Sequence, residues 1–241
     1  MGVALPILRH VLIAALLLAF QPVFAADYLR MTADLGGKGK PETIVVTTGK
    51  TGEFREFVVR IGAARYKGKF FAAEGDLPDV RIIAISRASP RRQILVTTSE
   101  PTSCNHYVLS YARGRIIPLL ETQSGANCAA PQPNGNGTLT VGTWAGFWTR
   151  HQTYRLSAGG TKLVPIPQEV NDVKVSAYTL KEFTLEPAKC GETAVLEGEF
   201  VRVDKYDSTR HLYLISTRRG ACGWLPEDQI EQAIGGLPWA N

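Results

Sequence analysis

Short runs rich in β-branched and aromatic residues recur at 43–48, 57–61, 82–85, 94–98, 107–111 and 139–144, with clusters of Gly, Asn, Pro and Ser between them. Side chains of this kind suit a pleated, half-buried surface, and the glycine and asparagine punctuation reverses the chain between runs. The pattern therefore predicts an all-β chain in which helix is scarce. A Gly159-Gly160 turn leads into 161–169, where Pro165 and Pro167 confine the segment to a sheet edge or a linker. We place a domain boundary just after it, near Val175.

The amino terminus assigns a compartment. Arg9 and His10 precede an apolar run over 11–20, and a small-residue end follows at Val23, Phe24 and Ala25. This is the pattern of a signal peptide over residues 1–25, and the run is shorter than the roughly 20 apolar residues a membrane span needs. The chain is expected to be periplasmic or secreted, with no membrane span. About 216 residues follow the leader, which suits one large domain or two small ones, and two are expected here, at 26–174 and 175–235, with a tail at 236–241.

Four cysteines in an exported chain make disulfides the default. Cys104 and Cys128 fall in the first part, Cys190 and Cys222 in the second. Pairing within each part closes short loops, each worth roughly 3 kcal/mol through the unfolded chain's lost entropy. No CxxC spacing is present, and His106, His151 and His211 form no ligand pattern, so no structural zinc is expected. The chain has 27 basic and 22 acidic residues, a formal charge of +5. These basic residues are scattered, without the interleaved aromatics of a nucleic-acid surface, and are read as solvated.

Two families are resembled. DLGGKGKPE, at 34–42, followed by TIVV, resembles the acidic turn of FG-GAP or VCBS repeats, the blade units of integrin-like β-propellers. In that family the loop holds calcium through alternating oxygen ligands. Asp34 and Glu42 match the first and last ligands, but Gly36 and Lys38 stand where the middle acids would be, and an ammonium there opposes a cation. The loop is read as a bend leading into a blade, with no metal bound. Residues 80–100 and 134–141 repeat its strand-turn outline at a spacing of about 50 residues, in the range of propeller blades. The resemblance implies an irregular, propeller-like β-domain.

The segment 191–230 resembles a bacterial SH3-type barrel: GEFVRV at 198–203 matches the G-E-x-V-x-V strand, and GWLP at 223–226 the G-W-[VI]-P turn. Leu212 and Gln229 replace the aromatics that line a proline-peptide groove, which removes that binding mode. Tyr206, Trp224, Arg218 and Arg219 remain as candidate ligand-binding residues of this module. In the first part the candidates are Trp144 and Trp148, from a cluster that also holds Phe147 and Tyr154. Tryptophans beside the Ala145-Gly146 turn suit stacking on a sugar or anchoring a partner, and equally suit a core.

No GxSxG, HExxH, P-loop or GxGxxG motif occurs, so no enzyme and no cofactor are expected. The expected function is an exported, non-catalytic binding protein of the cell envelope, whose partner is peptidoglycan or a wall-active enzyme that it inhibits or assists. The alternative is a hydrolase with convergent carboxylates in the first β-domain.

Overall fold

A computed structural model of the chain describes residues 28–51, 54–71, 77–125 and 128–239, and the leader segment lies outside them. The first part is three consecutive four-stranded antiparallel meanders. The first sheet is β1 (Tyr28–Ala33), β2 (Glu42–Thr51), β3 (Phe54–Ile61) and β4 (Ala64–Phe70), and the second is β5 (Asp79–Ile83), β6 (Gln93–Ser99), β7 (Ser103–Ala112) and β8 (Arg115–Gly125). The third is β9 (Gln132–Pro133), β10 (Thr138–Trp144), β11 (Thr149–Leu156) and β12 (Leu163–Pro165), with β12 at its edge as Pro165 requires.

Period-two alternation places the cores. On β3, Phe57, Val59 and Ile61 are buried, and they meet Ile94, Val96, Tyr107 and Leu109 of the second sheet. Leu95 and Val108, the alternate residues of β6 and β7, point the other way and pack with Leu139 and Val141 of the third. The second sheet is thus covered on both faces. The loops joining the first two strands of each sheet are stitched together. The Arg92 N–H donates to the Leu35 carbonyl at 3.3 Å, Arg87 N–H to Gly135 at 2.7 Å, and Gly137 N–H to Ile85 at 2.9 Å.

The second part is β13 (Val170–Thr179), β14 (Phe183–Thr184), β15 (Glu186–Pro187), β16 (Ala194–Val195), β17 (Phe200–Asp207), β18 (Leu212–Thr217), β19 (Cys222–Pro226), a short helix α1 (Ile230–Ala233) and β20 (Ile234–Gly235). Six of these strands form one sheet in the order β15-β19-β18-β17-β13-β20, and β14 pairs with β16. The sheet curls into a half-barrel around Val195, Val201, Val203, Ile215 and Leu225. Irregular register between Asp172 and Val175 and between Val203 and Lys205 marks bulges of the kind that bend strands. The expected boundary near Val175 falls inside β13, and Leu237 of the expected tail is buried in the half-barrel core.

Each part carries one disulfide, as the loop-length argument requires. Cys104 joins Cys128 with Cα atoms 5.1 Å apart, and Cys190 joins Cys222 at 5.6 Å.

His106 on β7 is fully buried, with Nδ1 3.0 Å from the Thr97 hydroxyl and Nε2 2.8 Å from the Ser124 hydroxyl. Burial pushes its pKa down to about 4, so the folded protein holds it neutral where the unfolded chain would protonate it. Its contribution is intact above the ordinary histidine value and is lost as pH falls from there towards 4. Urea unfolding should show a loss of about 3 kcal/mol between neutral pH and pH 4 that shrinks in His106→Gln. Gly68 lies under Phe57, whose ring atoms would stand 2.3 Å from an added Cβ. Gly68→Ala should therefore cost about 1–3 kcal/mol by overpacking in the same assay.

Candidate functional site

The third sheet meets the half-barrel through the turn between β10 and β11. Ala145 N–H donates to the Trp148 carbonyl at 2.8 Å, closing the turn around Gly146. Gly146 has φ +77°, and a Cβ there would also stand 2.8 Å from the Trp239 ring, so both backbone and space demand glycine. The turn sends two consecutive aromatics into the half-barrel core, Phe147 at 1% and Trp148 at 3% exposure. Phe147 packs on Tyr213 at 5.4 Å and edge-on to Trp239 at 5.0 Å, Trp148 lies 5.9 Å from Tyr206, and Tyr206 lies 4.8 Å from Tyr213.

Against these rings opens a cleft of about 480 Å³. Trp148, Tyr206, Tyr213 and Trp239 line it, together with the carboxylates Glu227, Asp228 and Glu231 and the guanidinium of Arg150. The Tyr206 hydroxyl donates to Glu227 Oε2 at 2.9 Å, and His211 Nδ1 lies 3.0 Å from the same oxygen. Burial and then the Glu227 carboxylate push the Tyr206 pKa up to about 12, so Tyr206 remains a neutral donor at physiological pH. The Trp148 indole N–H is buried beside the Tyr213 hydroxyl, and the buried Arg150 Nε has no aligned hydrogen-bond partner. The cleft thus combines aromatic rings, three carboxylates and a guanidinium in its lining.

Of the residues expected from the sequence, Trp148 and Tyr206 come together in the cleft and the others do not. Trp144 is 38% exposed and packs beside Gly125. Trp224 on β19 is covered by the Arg210 guanidinium, 4.6 Å above its ring. Arg218 lies 4.8 Å over Phe200, and Arg219 forms a fork with Glu199 at 2.8 and 2.9 Å that pulls the Glu199 pKa down to about 2. Those arginines fasten the half-barrel surface. Tyr154 packs in the core between the second and third sheets. The acids of the 34–42 loop are spent on their own turn: Asp34 accepts from Lys38 N–H at 3.0 Å and Gly39 N–H at 2.7 Å, and Glu42 from Leu35 N–H at 2.9 Å. Among the described residues no three His, Cys, Asp or Glu side chains cluster to hold a metal.

Sequence reasoning does not reach Glu227 or Trp239, whereas Tyr213 carries a signal in sharing a face with Ile215 along β18, and Arg150 beside His151 has the polarity for an anionic contact.

In comparisons with family models, curated proteins and solved structures, nothing matches the chain. The site therefore rests on its own geometry. Phe147→Ala should lower the unfolding free energy by about 3–5 kcal/mol, as a large aromatic removed from a core does, whereas Trp144→Ala should cost far less. Urea denaturation of the two variants checks this.

Proposed function

We propose that the protein is an exported, non-catalytic binding protein of the cell envelope that takes peptidoglycan in the cleft between the third sheet and the half-barrel. The observation that carries this reading is the gathering of the exposed Trp239 ring and both signs of charge in one cleft. Peptidoglycan presents sugar faces, for which the exposed ring of Trp239 is the platform, and stem peptides that carry both carboxylates and amines. Arg150 suits the former groups, and Glu227, Asp228 and Glu231 the latter. Two disulfides fit an oxidising compartment, and no described helix is long and apolar enough to cross a membrane.

The same proposal extends to architecture. We read the three meanders as propeller-like blades and the curled sheet as an SH3-like barrel. Support comes from the loops at 34–41, 84–92 and 134–137, each joining the first two strands of its sheet, with the second bonded to both of the others. The hydrolase alternative draws less support, because carboxylates of the first part are engaged in the fold. Asp34 and Glu42 hold their turn, Glu100 accepts from Ser103 and Asn105, and Glu121 accepts from Tyr66.

Purified protein should co-sediment with peptidoglycan sacculi, and Arg150→Ala and Asp228→Ala/Glu231→Ala should each weaken that binding by roughly tenfold, as lost polar contacts in a cleft do. Suppression of lysozyme-type lysis would show that the partner is a wall-active enzyme. Degradation of sacculi by the protein alone would overturn the reading.

A further inference from the structure

The outer face of the first sheet carries a charge pattern that the cleft does not explain. With Phe57, Val59 and Ile61 turned inward, β3 presents Phe54, Glu56, Val58 and Arg60 outward, and β4 presents Arg65, Lys67, Lys69 and then Phe71. Register sets Arg60 directly opposite Arg65, Val58 opposite Lys67 and Glu56 opposite Lys69. On the other side Val45 stands between Arg60 and Arg30. Five cations thus share one face with one carboxylate, Glu56, which reaches Lys67 at 3.9 Å. The formal charge of the whole chain is +5, so most of the imbalance sits here.

Like charges directly opposite on a sheet are destabilising, yet Arg60 and Arg65 face each other, and among the described residues no carboxylate pairs with Arg30, Arg60, Arg65 or Lys69. At the end of the same face Phe54 and Phe71, 50% and 46% exposed, lie edge to face with ring centres 6.1 Å apart. Exposed apolar rings beside a cation array are the ingredients of interfacial membrane binding, in which apolar side chains enter the headgroup boundary and basic ones meet anionic lipid. The charges spread in two dimensions, along β4 and across the strands from Arg30 to Arg65. A two-dimensional array across four strands matches a headgroup surface better than a single polymer strand.

We propose that this face docks the protein peripherally on an anionic lipid bilayer, with Arg30, Arg60, Arg65, Lys67 and Lys69 on the headgroups and the Phe54–Phe71 pair inserted among them. The docking is independent of the cleft and leaves it open.

The test is vesicle co-sedimentation of the purified processed protein, with phosphatidylcholine vesicles compared with vesicles containing about one-third phosphatidylglycerol. Binding should occur on the anionic vesicles and weaken as salt rises. Arg65→Glu/Lys67→Glu/Lys69→Glu should reduce it by roughly tenfold or more, and Phe54→Ala/Phe71→Ala should reduce it on the same vesicles. All these side chains are exposed, and unchanged urea midpoints would confirm that folding is intact. Failure to bind anionic vesicles, equal binding to neutral ones, or undiminished binding by the charge-reversed variant would overturn the proposal. Binding to soluble polyglutamate as tight as to vesicles would also overturn it and point to an acidic protein. Asp228→Ala/Glu231→Ala should leave vesicle binding unchanged, so failure of the cleft reading and failure of this one are told apart.

Discussion

Because β6 and β7 bury side chains alternately to both sides, Ile94 and Val96 towards the first sheet and Leu95 and Val108 towards the third, the second sheet requires a neighbour on each face. Removing either neighbour would expose a row of fully buried aliphatics at about 25 cal/mol per Å². The order of the three sheets in space follows, and so does the placing of the β10–β11 turn that reaches the half-barrel. His106 obeys the same constraint. A polar ring in a strand with no solvent face must find its partners inside, and Thr97 and Ser124 supply them from the neighbouring strands.

The hydrogen bonds among the three equivalent loops fix how the sheets are turned against one another. Hydrophobic contact is non-directional and would tolerate sliding, whereas the bonds from Arg92 to Leu35, Arg87 to Gly135 and Gly137 to Ile85 hold one alignment. Asp34 and Glu42 contribute by shaping the first loop with their own backbone partners. A sequence that resembles a calcium loop thus keeps its bend while its acids bind N–H groups.

The strands that could be read from sequence are those whose buried face is a β-branched or aromatic run, such as β2, β6 and β10. The strand β4, ARYKGKF, gives no such signal, because Arg65, Lys67 and Lys69 occupy its solvent face and Gly68 its core face under Phe57. For the same reason the basic residues look scattered along the chain: alternation and cross-strand register gather them, and neither is visible in linear order. Trp148 and Tyr206 could be named individually, but their meeting depends on the turn around Gly146 packing against the half-barrel, which sequence spacing does not show. Arg218, Arg219 and Trp224 looked available as a surface because their partners, Phe200, Glu199 and Arg210, lie on other strands or in another turn.

A pile of sheets whose members each present two faces could in principle grow without limit, one molecule capping the next. Here one end is turned aside, since the third sheet hands the chain to the half-barrel through Phe147 and Trp148. At the other end the guanidinium row of Arg30, Arg60 and Arg65 would meet its own image in any face-to-face encounter between copies. Coulomb repulsion of that kind opposes self-assembly most strongly in dilute salt. The first sheet can therefore remain an open end without seeding a fibre of its own kind.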